Sequence, residues 1–299
     1  MPTNVGELSL PLYAERSITS ASMPSSASEP TTGTTAAAPA LRPQSVMFTL
    51  LAEQVLPAPC GVFSGSFVDV LGELAIGEHT ARSTLARMVK RGLLTRERHG
   101  RKVFLEMTPR CVAILEDGRR RIWQTGAVNT AEGDWTLLTF SLPESARSKR
   151  GALRARLRWE GFGMLQNGVW LSPASFDANE LIEELSLHEQ VRVFRTRPAP
   201  PTDAAQLVAQ VFDLPAIAER YRVFMRCWQR ADVQQGDSLL LTLRLSTHWL
   251  QVIRDDPRVP VAQLPADWPA ADAQELFRSL HGRHAAAARA RARALLDVR

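Results

Sequence analysis

Cysteine is scarce. The 299 residues contain three, Cys60, Cys111 and Cys227. They are widely spaced and form no CxxC or CxxxH pattern, which excludes a disulfide scaffold and leaves structural zinc without its usual ligand spacing. An odd, sparse set fits free thiols in a reducing cytoplasm. No apolar run approaches the ~18–20 residues of a membrane span. No basic start followed by an apolar core opens the chain, so no secretory signal is expected. Enzyme signatures are missing too: no nucleophile elbow, no Walker glycines, no HExxH, and no G-x-G-x-x-G after a strand pattern. The histidines, His79, His99, His188, His248, His281 and His284, are scattered. His281 and His284 lie about a turn apart, a spacing commoner at a solvated helix end than at a metal. The expectation is a non-enzyme with no cofactor.

The chain does have ordinary bulk and uneven charge. At 45% apolar and 22% charged residues it reads as a globular protein. Its length is enough for two or three domains. The formal net charge of +5 favours a polyanionic partner without naming one. Gly77–Thr108 holds the whole excess. There Arg82, Arg87, Lys90, Arg91, Arg96, Arg98, Arg101 and Lys102 oppose only Glu78, Glu97 and Glu106. Ala81, Leu85, Met88 and Val89 recur at helical spacing and share one face; His79, Thr80, Ser83, Arg87 and Lys90 occupy the opposite face. Gly77 can serve as N-cap and Gly92 as the stop. Leu93–Arg98 and Arg101–Met107 then read as strands around a His99-Gly100 turn. A polar, basic helix followed by a basic hairpin suits the DNA major groove and its flanking phosphates. The blander reading, a solvated amphipathic helix, stays open here.

Taken in order, residues 1–43 read as a disordered tail, because Thr19–Ala40 is nearly all Ser, Thr, Ala, Pro and Gly. Residues 44–126 read as a winged helix-turn-helix. An apolar helix around Val46–Leu56 stops at Pro57. A second, capped by Ser64 or Ser66, runs to about Leu74. The basic helix and hairpin follow, then a helix from Pro109 to Trp123. Arg119, Arg120 and Arg121 near its end suit the helix dipole. After a linker at Asn129–Asp134, residues 134–198 give a strand, a basic helix over Glu144–Trp159, two strands around Asn167-Gly168, a helix after Asp177 and a last strand. That βαββαβ order is ferredoxin-like. Residues 203–299 read as a helical C-terminal domain with breaks at Pro257, Pro260, Pro265 and Pro269. The expected class is α+β.

Three stretches carry a resemblance. The series Arg82-Ser83-Thr84-Leu85-Ala86-Arg87-Met88, Gly92-Leu93-Leu94 and Arg98-His99-Gly100-Arg101-Lys102 resembles the winged-helix domain of the PaaX family of bacterial repressors. Leu142-Pro143-Glu144, Arg150, Leu153, Leu157 and Gly161-Phe162-Gly163 resemble its central domain. Asp256-Pro257-Arg258-Val259-Pro260 and Leu264-Pro265-Ala266-Asp267-Trp268 resemble its C-terminal domain. One departure is visible: the family usually has an aromatic residue and two arginines where this chain has Trp249-Leu250-Gln251.

The resemblance implies a dimeric repressor of an aromatic-compound catabolic operon, typically for phenylacetate. It implies binding to double-stranded promoter DNA and release by an acyl-CoA inducer such as phenylacetyl-CoA. His79, Thr80, Ser83 and Arg87 would then approach bases. Lys90, Arg91, Arg98, Arg101 and Lys102 would hold phosphates, with His99 at the turn between them. Arg82, on the flank of the helix, suits an internal ion pair as well as DNA. Two copies would read half-sites about one helical turn apart. A CoA thioester needs cations for its phosphates and an apolar slot, chemistry that Arg220, Tyr221, Arg226, Trp228, Trp249 and Trp268 supply; core or surface packing is the competing role for each. The central domain is also similar to the small ferredoxin-like nucleases of CRISPR systems. Those place a metal-binding Asp where this chain has Thr139-Phe140-Ser141, so a scaffold or dimerisation role is expected. Arg147, Lys149, Arg150, Arg154, Arg156 and Arg158 then read as a solvated helix face rather than a phosphate site. Two other functions stay in view: a non-specific nucleic-acid-binding adaptor and a metal-dependent nuclease.

Overall fold

The computed structural model describes residues 41–125, 127, 129, 133–230, 236–254 and 256–299. The expected tail lies outside these residues as far as residue 40, and part of the expected Asn129–Asp134 linker lies outside them too. The first helix, α1 (Pro43–Leu50), starts on a proline, whose missing N–H would have no helical partner there. A π-helical turn continues it through Val55. Then come β1 (Val62–Phe63), α2 (Ser64–Glu73), α3 (Glu78–Lys90), β2 (Leu94–His99), β3 (Lys102–Met107) and α4 (Pro109–Arg120). The middle of the chain supplies β4 (Trp135–Phe140), α5 (Arg147–Trp159), β5 (Gly163–Gln166), β6 (Val169–Ser172), α6 (Asn179–Leu185) and β7 (Val191–Thr196). Helices α7 (Ala204–Val211), α8 (Leu214–Trp228), α9 (Ser238–Arg254) and α10 (Ala270–Leu295) follow. The class is α+β with two antiparallel sheets.

The chain divides into two compact units. One falls within residues 130–214 and 257–264, the other within 38–129, 215–256 and 265–299. The stretch after residue 203, read from sequence as one helical block, is therefore shared between them. In the second unit α1 is covered on all sides. Val46, Met47, Phe48, Leu50 and Leu51 are all buried, which an apolar run without a polar stripe requires. Helix α9 supplies the cover, and its Thr247 hydroxyl pairs with the Thr49 hydroxyl at 2.9 Å inside the core. Helix α10 lies along α9, where the Trp249 ring stacks on Phe277 at 5.0 Å. Trp123, beyond α4, meets the same phenylalanine at 5.4 Å. The small sheet of this unit has the order β1-β3-β2.

In the other unit the sheet order is β5-β6-β4-β7, all neighbours antiparallel. Leu138, Trp170 and Val191 on its strands pack against Leu153 and Leu157 of α5 and Leu181 and Leu185 of α6. Gly168 turns the β5–β6 hairpin with φ +79. The pattern Gly161-Phe162-Gly163 has a steric reason at both ends. Gly161 takes φ +82 and sits where a Cβ would come within 2.9 Å of the Pro257 carbonyl oxygen. A Cβ on Gly163 would fall 2.1 Å from Val211 Cγ1 and 2.7 Å from Phe212 Cε1, side chains packed over β5. The basic residues of α5 are largely engaged within this unit. Arg150 donates to the carbonyls of Leu142 and Pro143, Arg154 reaches Asn167, Arg156 pairs with Glu160, and Arg158 lies 5.4 Å over the Trp170 ring.

Candidate nucleic-acid interface

Helix α3 buries Ala81, Thr84, Leu85 and Met88. Thr84 joins the apolar face because its hydroxyl donates to the Thr80 carbonyl one turn back, at 2.8 Å. Val89, expected on that face, is only half-buried. The helix closes as its sequence requires. Gly92 takes φ +66, its N–H donates to Val89, and the Leu93 N–H donates to Met88. Those two bonds, with Leu93 and Met88 both fully buried, make a Schellman stop. The stop fixes the angle at which the chain leaves α3 for β2.

His79, Thr80, Arg82, Arg87 and Lys90 are exposed on α3, and Ser83 and Arg91 are half-buried. Arg82 donates to Glu78 at 2.7 Å, an internal ion pair, one of the two roles left open for its flank position. Arg87 lies along its own helix, donating to the Ser83 and Thr84 hydroxyls at 2.8 and 3.0 Å.

Strands β2 and β3 pair in register from Leu94↔Met107 to His99↔Lys102, leaving a two-residue loop of Gly100 and Arg101. Gly100 has φ +59. Arg96, Arg98, His99, Arg101 and Lys102 are all exposed on the hairpin. Alternation along β3 puts Lys102, Phe104 and Glu106 on one face, yet Phe104 is 7% exposed. Phe63 and the chain after α10 account for that burial.

Residues 297–299 lie against β1: Phe63 N–H donates to Asp297 O, Val298 bridges to Val62, and Arg299 N–H donates to Gly61 O. Asp297 binds Lys102 at 2.6 Å. Ser66, a candidate cap for α2, instead accepts from the Asp297 N–H. The Arg299 guanidinium lies over the Phe104 ring and contacts Glu97, Glu106 and His99. Burial, then the Glu106 carboxylate, push the Cys60 thiol up. Sequence reading found neither β1 nor this segment. A two-residue strand has no periodicity, and the last residues carry no signal beyond an isolated Asp-Val-Arg.

Residues 42–111 match the PaaX-like protein family, 128–208 the PaaX protein central Cas2-like domain, and 212–294 the PaaX-like protein C-terminal domain. The chain belongs to the PaaX family. It is 26% identical over 243 residues to the Transcriptional repressor PaaX of Escherichia coli, an alignment covering 76% of this chain and 75% of that protein. Its fold is also similar to that of an uncharacterized protein from Mycobacterium tuberculosis. The TM-score is 0.55 at 24% identity, over 86% of this chain and 99% of the other.

The residues singled out in this PaaX-family chain for an effector are unequally placed. Tyr221, Trp228 and Trp249 are buried. Tyr221 donates to Asp256, and Trp228 donates to His248 Nδ1 at 3.0 Å. Burial lowers the His248 pKa to about 4. Trp268 is half-buried with its ring edge-on to Tyr221 at 6.5 Å. Arg226 is exposed and paired with Glu219 at 2.6 Å, and Arg220 is half-buried. Three of the six are thus core members of one aromatic cluster. A cleft of about 340 Å³ occurs elsewhere, between the start of α5 and the end of α6; Leu142, Pro143, Lys149 and Leu187 are among its walls, and none of the six contributes.

Proposed function

We propose that this PaaX-family protein is a transcriptional repressor that reads double-stranded promoter DNA. Helices α1–α3 and the β2–β3 hairpin act as a winged helix-turn-helix. Helix α3 enters the major groove, His79, Thr80, Ser83 and Arg87 approach base edges, and Lys90, Arg91, Arg98, Arg101 and Lys102 hold phosphates. Arg82 is already paired with Glu78 on α3, so a DNA contact by it would have to give up that pair. The observation that carries this reading is the α3 surface itself. Its outer face is polar and basic from His79 to Lys90, and the Schellman stop at Gly92 sets a second basic element beside it. The 26% identity to a named repressor supports the sign of regulation.

The central βαββαβ unit is ferredoxin-like and serves as scaffold and dimer contact, so that two copies read two half-sites. Its first strand ends in Thr139-Phe140-Ser141 with no carboxylate. Among the described residues no three of His, Cys, Asp and Glu group as metal ligands. Both observations favour regulator over nuclease. The regulated genes are those of aromatic-compound catabolism, and release follows binding of an aryl-acyl-CoA such as phenylacetyl-CoA or a related small molecule.

A gel shift with the intergenic DNA beside the protein's own gene tests this. Excess competitor DNA, fixed salt and a panel of aryl-acyl-CoA thioesters with their free acids complete the design. A specific complex dissolved by one thioester is the expected result. A complex that every thioester leaves intact would remove the CoA inducer and keep the DNA reader. Cleavage of the DNA on adding Mg²⁺ or Mn²⁺ would revive the nuclease.

A further inference from the structure

The hairpin that carries Arg98, Arg101 and Lys102 also carries two carboxylates on its outer face. Glu97 stands opposite Phe104, and Glu106 stands opposite Thr95, so the two are diagonal neighbours across β2 and β3. Unopposed, they would place two negative charges on the element proposed to meet phosphates. The Arg299 side chain reaches both, while His99 Nε2 also lies 2.9 Å from Glu97. The Arg299 guanidinium bonds Glu106 at 2.8 Å, bonds Glu97, touches His99, and covers the Phe104 ring with its centre 5.5 Å away. Its side chain is 27% exposed, against 52% and 43% for the two glutamates. The backbone holds it there, since Val298 bridges to Val62 and the Arg299 N–H donates to Gly61. Nearby, Asp297 pairs with Lys102, and Lys102 lies 5.3 Å over the Phe63 ring.

We infer that Arg299 is a positioning residue for DNA binding: by bridging Glu97 and Glu106 it offsets one of their two charges and holds β2 and β3 for docking on phosphates. The inference rests on the DNA-reading function proposed above. A guanidinium suits the task better than an ammonium, because its planar fork can serve two carboxylates while stacking on an aromatic ring. Losing it removes one positive charge and uncovers two carboxylates on the hairpin face that carries Lys102, with His99 still 2.9 Å from Glu97. Phosphate-driven affinity depends steeply on such charges.

Binding of the full chain to its promoter DNA and to random-sequence DNA, read by fluorescence anisotropy across a salt series, tests this. Arg299→Ala should weaken binding to both DNAs by about fivefold to tenfold at roughly 0.1 M salt. Arg299→Lys should recover part of the loss. The triple variant Arg299→Ala/Glu97→Gln/Glu106→Gln is one charge more positive than the parent and should bind at least as tightly as the parent, because the charges that Arg299 answers are gone. Amide hydrogen exchange gives a readout independent of DNA, and residues 94–107 should exchange faster in Arg299→Ala alone. An Arg299→Ala protein that binds DNA as tightly as the parent overturns the inference while leaving the DNA reader standing. A triple variant as weak as Arg299→Ala also overturns it, since Arg299 would then be touching phosphate itself. A parent that binds neither DNA removes the functional reading and this inference together.

Discussion

Among the described residues, Arg87 donates only to the Ser83 and Thr84 hydroxyls. Both acceptors are uncharged, so turning the guanidinium toward a guanine edge breaks no ion pair. A bidentate contact of that kind is worth about 1–3 kcal/mol of base discrimination. Arg87→Ala should therefore weaken promoter binding by roughly tenfold to a hundredfold and change binding to random DNA by less than about twofold, as read by competition anisotropy. Arg101, at the tip of the hairpin, should behave differently. Arg101→Ala should weaken both DNAs alike and lower the salt slope by about one phosphate contact. If the two variants proved indistinguishable, base reading by α3 would fail. His248 sets a separate, pH-dependent term. Its Nδ1 accepts from Trp228, so the ring is held neutral, and burial lowers its pKa to about 4. The unfolded chain, with an ordinary histidine near 6.5, binds the proton in the window between those values and the folded chain does not. The stabilisation is complete above about pH 6.5 and is lost as pH falls toward 4, reaching about 3 kcal/mol. Melting temperatures of the parent and His248→Gln across that window should converge as pH falls. Parallel curves would mean that His248 is not held neutral.

At the scale of elements, two contacts give direct tests of how the helices and strands are held. Thr49 on α1 donates to the Ser45 carbonyl at 3.1 Å and pairs with Thr247 on α9 at 2.9 Å, so its hydroxyl can accept from Thr247. Thr49→Val should cost about 1–2 kcal/mol by leaving the Thr247 hydroxyl without its buried partner. Thr49→Val/Thr247→Val should cost less than the sum of the single changes in denaturant unfolding. Additive costs would deny the pair any coupling. Gly163→Ala must push Val211 and Phe212 aside. It should lower the melting temperature by several degrees, a loss of about 1–3 kcal/mol; an unchanged melting temperature would show that the end of α7 and Phe212 yield freely. Much of this level was legible beforehand. The span of α3, its glycine stop, the Asn167-Gly168 hairpin and the helical stretches of the last third follow from period, turn residues and prolines. The rest was not, for local reasons. Thr84 looks polar but is buried, because its hydroxyl is satisfied one turn back. Tyr221, Trp228 and Trp249 offer ligand chemistry and packing chemistry with the same side chains, and only their burial in one aromatic cluster separates the two.

On the scale of the whole molecule, the charge excess in Gly77–Thr108 and the order of the three PaaX-family blocks are visible in the sequence. Sequence order could not say that the helices after residue 203 are divided between two units. An apolar helix such as α9 reports that it must be covered but not by what, and α1 proved to be its neighbour. Residues 297–299 are a long-range case of the same kind, a segment whose partners lie some two hundred positions earlier. Sequence-specific reading of promoter DNA by α3 stands or falls on one ratio. That ratio is the affinity of the unmodified protein for the DNA beside its own gene over its affinity for random DNA, at one fixed salt concentration near 0.15 M. A base-reading α3 should give a preference of about a thousandfold or more, the range of specific regulators. A ratio near one, with binding that merely fades as salt rises, would contradict it and leave only a non-specific polyanion-binding surface.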